Sequence, residues 1–326
     1  INNQNKKLLE DKDSKIFLDQ QKYSLINNIQ WNSKIYENKN YKLSEIIFWF
    51  REPQIYWLRK NNLNFRRLFN NNPNEENING LQKTKLMNNI INNIKLDNIK
   101  LDENLENLKL HEHLIHNGIF APGNSLYLKE NQLRDLIDSL IDKISGLKTI
   151  NKICFKEESN KEEYFISDNK IIELINSNLN IHKISESWIR LLFASSLNDD
   201  IQGTKIFYRL NNQYKDKDII SPGSLESRNL LFKYINIYKN GINKCLPIPP
   251  ESSFNFIDAK FSLKNAENAF IKSWIGTDGF IKGERDKPEM IFCFGEEVSP
   301  ELFLSSQTFL DLSSEMYLPL IKSLKS

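Results

Sequence analysis

Lys152-Ile153-Cys154-Phe155, Glu163-Tyr164-Phe165-Ile166 and Lys170-Ile171-Ile172-Glu173-Leu174-Ile175 are three short runs rich in β-branched and aromatic residues, set apart by polar turns. Such runs, bounded by turn formers, read as consecutive strands, and their close spacing predicts an antiparallel set. The chain beyond Ile175 fixes the class. A helix is expected over Glu186–Leu197 with Ser185 as its cap, then a strand over Thr204–Leu210, a turn at Asn211-Asn212 and a helix over Ser224–Asn240. Leu246 to Pro250 reads as a proline-fixed turn, Lys264–Trp274 as a helix, Met290–Phe294 as extended, and Pro300 to Leu324 as mainly helical. Helices alternating with strands in this way predict an α/β unit with a mixed central β-sheet flanked by helices.

Upstream of the strands the chain reads as helix-rich. Residues 1–40 are polar and weakly periodic, as in a linker or the end of a preceding domain. From Tyr41 the pattern sharpens: Ser44 is a candidate N-cap, Glu45 suits a first turn, and Ile46, Ile47 and Phe50 fall at helical spacing. Pro53 ends that helix and suits the first turn of the next. Asn70–Gly80 reads as a loop and Leu81–Leu96 as a helix. In Asn124–Gly146, Leu126, Leu133, Leu136, Ile137, Leu140 and Ile141 form an apolar stripe and Gly146 a stop. The expected division is a mainly helical part over 41–146 and a sheet-containing part over 147–326.

The 326 residues are long enough for a sizeable core, and 11% aromatic content excludes wholesale disorder. A formal net charge of +2 means that any basic surface is local. No apolar run approaches the roughly 20 residues of a membrane span. Cys154, Cys245 and Cys293 are distant and odd in number, which fits reduced thiols in the cytoplasm rather than a disulfide framework. The chain begins at Ile1 without Met or signal sequence, as expected of a piece of a longer polypeptide. With 43 Asn and 5 Ala the composition is that of an AT-rich genome, so asparagine clusters carry little structural meaning by themselves.

Neither GxGxxG, GxxxxGK[ST] nor GxSxG occurs, which leaves nucleotide binding and serine hydrolysis by those routes unsupported. His111, His113 and His116 match no structural zinc spacing and fit a polar helix end before Gly118. A metal-dependent nuclease of the PD-(D/E)xK type needs an acid on one strand and D/E-x-K on the next, with the carboxylates holding Mg²⁺. Asp168-Asn169-Lys170 and Asp258-Ala259-Lys260 have the string, but in a chain with 26% charged residues such strings arise by chance. Where the second strand pair is expected to deliver acid and lysine, the chain reads Asn180-Ile181-His182-Lys183, and an amide cannot neutralise a divalent ion.

The candidate for nucleic-acid contact is Phe48 to Arg67. Arg51, Arg59, Lys60, Arg66 and Arg67 are interleaved with Trp49, Tyr56, Trp57 and Phe65. Cations grip phosphates and exposed rings stack on bases. The same pattern suits a second reading, with Trp49 and Trp57 as core anchors and the arginines on a solvated or subunit-facing side.

Four blocks, in order, resemble the C-terminal domain of RecC, the gamma subunit of bacterial exodeoxyribonuclease V (RecBCD). They are Leu43–Pro53 followed by Tyr56-Trp57-Leu58 and Asn62-Leu63; Asn117–Gly123; Tyr238 and Gly241 followed by Leu246-Pro247-Ile248-Pro249-Pro250 and Ser252; and Trp274-Ile275-Gly276 leading to Gly283-Glu284-Arg285-Asp286 and Phe294-Gly295. Cys245 replaces the first Pro of the third signature. The first block also resembles one in RecB-like and AddB nucleases, where a Cys before the Pro binds an iron–sulfur cluster; Glu52 holds that place here, so no cluster is implied.

The resemblance implies a restriction-endonuclease-like fold without an intact active site, in which Asn180, His182 and Lys183 mark the degenerate nuclease position. It implies a non-catalytic part of a complex for recombinational repair of double-strand breaks, with RecB-like and RecD-like subunits and DNA as partners. Mg²⁺ and ATP would be used by those partners, with no cofactor in this chain. The whole subunit carries Chi recognition, mainly through upstream domains. The rival expectations are an active Mg²⁺-dependent nuclease with acids at Asp168 or Asp258, and a scaffold without DNA contact.

Overall fold

A computed structural model describes residues 42–63, 124–147, 150–157, 160–211, 213–277, 281–296 and 298–325. Residues 1–40, the helix over Leu81–Leu96, the three histidines 111, 113 and 116, and the block Asn117–Gly123 lie outside the described residues. In chain order the elements are α1 (Leu43–Arg51), α2 (Pro53–Lys60), α3 (Asn124–Ser145), β1 (Asn151–Glu157), β2 (Asn160–Ser167), β3 (Lys170–Ile175), α4 (Ile181–Leu197), β4 (Gly203–Leu210) and β5 (Gln213–Ile220). They continue with α5 (Ser224–Asn243), α6 (Pro250–Phe261), α7 (Ala266–Ile275), β6 (Gly276–Thr277), β7 (Ile281–Lys282), a 3₁₀ turn (Glu284–Asp286), α8 (Pro288–Phe294), α9 (Pro300–Leu304) and α10 (Gln307–Lys325). The mixed α/β class is as expected.

The described residues form two compact units, and neither follows a division at 146/147. A sheet unit gathers 124–180 and 191–227, and a helical unit gathers 42–63, 181–190 and 228–325.

In the sheet unit five strands lie in the order β1-β2-β3-β4-β5. The first three form an antiparallel meander, β3 and β4 are parallel, and β5 returns antiparallel to β4. Two of the three hairpins carry Asn or Asp in the left-handed region at the turn. Ser167 pairs with Lys170 across Asp168-Asn169, whose φ values are 48° and 62°. Leu210 pairs with Gln213 across Asn211-Asn212, with Asn211 at φ 57°. Asn and Asp tolerate this left-handed conformation, which two-residue hairpins demand. Both edge strands are charged, with Lys152, Lys156 and Glu157 on β1 and Lys215-Asp216-Lys217-Asp218 on β5. Charged edges deter pairing with another chain. Leu136, Ile137, Leu140 and Ile144 of α3 are buried, and the backbone N–H of Tyr214 on β5 donates to Ser139 Oγ at 2.9 Å.

The helical unit is built on rings. Trp274 stacks near Phe270 and packs edge-on with Phe303 and Phe294, while Phe256 and Phe309 close the cluster. A second group places Trp49 against Tyr238 and Phe50 against Tyr234 and Tyr317. Trp188 on α4 donates to Tyr234 Oη, which donates on to the Met316 carbonyl, so these two polar tips are paired inside the rings. Gly241 lies in α5 against the indole of Trp49: a Cβ there would stand 2.6 Å from Nε1.

Four local expectations are corrected. α1 begins at Leu43 with Lys42 before it, and exposed Ser44 lies within the first turn rather than capping it. α4 begins at Ile181, not Glu186, and Ser185 is buried inside it because its neighbours Trp188, Ile189 and Leu192 face the interior. Met290–Phe294 is helical rather than extended: Pro288 occupies the first helical position, and burial of Met290, Cys293 and Phe294 outweighs the strand-like composition. β5 and α6 are additions to the expected elements. Pro53 opens α2 as expected. Cys154, Cys245 and Cys293 are not joined in disulfides.

Candidate functional site

The basic-aromatic segment folds as α1 and α2 of the helical unit. Pro53 through Leu58 are all buried, so α2 is enclosed on every side over its first six residues. Trp57 is 1% exposed and Tyr56 4%. Rings so enclosed cannot stack on bases, and the assignment of Tyr56 and Trp57 as DNA contacts is corrected accordingly. Trp49 is likewise internal. Tyr56 instead shares a hydrogen bond of 2.6 Å with Tyr238, the tyrosine of the third resemblance block.

The cations divide. Lys60 reaches Glu45 at 3.4 Å. Arg51 reaches Glu186 on α4 at 3.3 Å and Glu52 at 3.7 Å, so its charge is spent within the protein. Arg59 is exposed, with its guanidinium 4.8 Å from the centre of the half-buried Phe48 ring. Arg66 and Arg67 lie outside the described residues. Among the described residues of the patch, Arg59 is the exposed cation, while Phe48, Arg51 and Lys60 are half-buried.

The expected nuclease position is not on a strand. Asn180 belongs to the irregular segment after β3, while His182 and Lys183 lie in the first turn of α4. Asp168 occupies the first left-handed position of the β2–β3 hairpin, and Lys170 beyond it pairs with Asp218 at 3.1 Å. Asp258 and Lys260 are on α6, where residues two apart project from different faces. Among the described residues no group of three His, Cys, Asp or Glu side chains is placed to hold a metal ion.

His182 instead anchors a polar junction within the helical unit. Its Nδ1 faces the Arg51 carbonyl at 2.9 Å and its Nε2 faces Glu251 Oε1 at 3.2 Å. Both partners accept, so both ring nitrogens are satisfied together when the imidazole carries two protons. Burial works against that charge, but the bonds to Glu251 and the Arg51 carbonyl outweigh it and raise the pKa. His182 and Lys287, the latter at 2.9 Å, hold Glu251 near 2. Behind it, Glu284 is 1% exposed and accepts from the backbone N–H groups of Glu251 and Ser252 and from Ser252 Oγ. Burial raises the Glu284 pKa, with the Glu251 carboxylate adding to the effect. Glu284 therefore caps the N-terminus of α6 from a distant part of the chain, completing donors that Pro249-Pro250 leave open.

Three of the four resemblance blocks meet here. Gln54, between the two parts of the first, donates to the Leu246 and Ile248 carbonyls of the third, fixing the proline turn. Gly283 of the fourth admits the backbone of Trp274 and Ile275, since a Cβ would stand 2.2 Å from the Trp274 carbonyl oxygen. The role of Glu284 was missed from sequence; its only signal was its place in a Gly-Glu-Arg-Asp block.

The family model described as RecC C-terminal domain matches residues 38–261. None of the curated proteins searched matches the chain.

Proposed function

Since the chain belongs to the RecC C-terminal domain family, we propose that it is a non-catalytic module of a RecBCD-type exodeoxyribonuclease V in double-strand-break repair. In this reading it binds RecB-like and RecD-like subunits in the cytoplasm and contacts DNA near the unwinding fork. The family match over residues 38–261 carries the reading. Its support in the helical unit is that His182, Glu251, Glu284 and Arg51 are committed to joining helices, which is structural rather than hydrolytic work.

The restriction-endonuclease-like fold is part of the same proposal. A helix, an antiparallel meander, a crossover through α4 and a parallel fourth strand give the mixed sheet that such a fold needs. The two D-x-K strings fall on a hairpin turn and a helix, which supports a relic over a working nuclease. Arg59 over Phe48 is the DNA contact this reading offers on the described surface.

The test is co-purification of the 326-residue chain with RecB-like and RecD-like subunits from one organism, followed by titration with forked DNA. Association with at least one subunit is expected, as is no cleavage of linear DNA by the chain with Mg²⁺. Cleavage abolished by Asp168→Ala or Asp258→Ala overturns the proposal, as does failure to bind either subunit.

A further inference from the structure

The turn between α6 and α7 departs from a rule the rest of the chain keeps. Among the described residues, five positions other than glycine have positive φ: Asn62, Asp168, Asn169, Asn211 and Leu263. Four of the five use Asn or Asp, the side chains best suited to the left-handed region. Leu263 does not, although this sequence has 43 Asn to spare. Its φ is 56° and it is 96% exposed, so it gains neither local fit nor burial within the chain.

The backbone there closes α6 in the usual paired manner. The Leu263 N–H donates to the Lys260 carbonyl at 3.2 Å and the Lys264 N–H to the Ala259 carbonyl at 2.8 Å. That motif places a left-handed residue just past the helix, where glycine is favoured. Phe261 is 41% exposed beside it, and Lys260 and Lys264 flank the pair. Glu267 belongs to the first turn of α7, where its charge suits the helix dipole.

We propose that this turn is a docking tip, in which Leu263 with Phe261 enters an apolar pocket rimmed by carboxylates on a partner subunit of the complex. A strained and fully exposed leucine makes physical sense when a second protein buries it. The bracketing lysines specify the rim, because cations beside a buried anchor are matched by acidic groups on the partner. Leu263, the outermost side chain of the tip at 96% exposure, is aliphatic and has no π face to stack on a base. That favours a protein over a nucleic acid as the partner that buries it, with the less exposed Phe261 widening the apolar anchor. The inference rests on the subunit-assembly reading above and adds the surface that serves it.

Affinity of the full chain for RecB-like and RecD-like subunits is measured for wild type, Leu263→Asn, Leu263→Gly and the double variant Lys260→Glu with Lys264→Glu. Both Leu263 variants keep the left-handed turn, so a thermal midpoint equal to or above wild type is expected. Binding to one subunit should weaken roughly 10- to 30-fold, as at a buried anchor, and the charge reversal should weaken it at low salt more than at high salt. Wild-type affinity in all variants overturns the tip while leaving assembly intact. A loss confined to forked DNA overturns it in favour of a nucleic-acid contact. Failure of the wild type to bind either subunit overturns both readings.

Discussion

The two units use charge in opposite ways. In the sheet unit, ions sit at the rim: Lys143 meets Asp216 at 2.7 Å and Lys152 meets Glu163 at 2.7 Å, each pair with large solvent exposure. In the helical unit, Glu284 is enclosed, and His182 and Glu251 join α1, α4 and α6. A rim pair that loses a member leaves a hydrated ion, at little cost. An enclosed group that loses its partner leaves donors or acceptors with nothing to bind, which is expensive. Similar residue types thus tune solubility and edge protection in one unit and specify helix placement in the other.

The largest effect expected comes from the rings rather than the ions. Trp274→Ala removes the centre of the Phe270–Phe303–Phe294 cluster and the bond from its Nε1 to the Val298 carbonyl. It should cost about 3–5 kcal/mol, read as a lower urea midpoint by circular dichroism. Next is Glu284→Ala, which strands three donors at the start of α6 and should cost about 2–3 kcal/mol. If that cost falls below about 0.5 kcal/mol, the scale of a surface substitution, the contrast between the units collapses.

Acidity sharpens the contrast. Glu251 is near 2 when folded, below its ordinary value, so its stabilising effect is full above pH 4.5 and drains away as pH falls towards 2. His182 has the opposite sign: its raised value means that the contribution is full below 6.5 and is lost as pH rises through the folded pKa. Glu284, raised by burial, takes up a proton on folding as pH falls through its folded value towards 4.5 and partly offsets the loss from Glu251. His182→Gln should therefore cost about 1–2 kcal/mol near pH 6. The gap from wild type should narrow at higher pH, as chemical denaturation at several pH values would show. The smallest effect belongs to the sheet rim. A double-mutant cycle on Lys143 and Asp216 should give roughly 0.2–1 kcal/mol, shrinking with added salt.

Legibility followed the same divide. β1–β3 and β4 could be read because their apolar and β-branched residues are contiguous, and Asp168-Asn169 marks its own turn. β5 could not, because four consecutive charges hide a strand whose reason for existing is pairing with β4. α6 was hidden because its cap, Glu284, comes from far along the chain. The patch around α1 and α2 was legible as a cluster of cations and rings. The inward direction of Tyr56 and Trp57 was not: with six successive residues buried, α2 has no hydrophobic period to reveal a face.

The contact between Gly241 and Trp49 reaches past any single chain. Neither residue can be exchanged without regard to the other, so relatives that gain a methyl at the helix position should carry a smaller ring opposite it. Inheritance, rather than chemistry alone, then records that α1 and α5 touch.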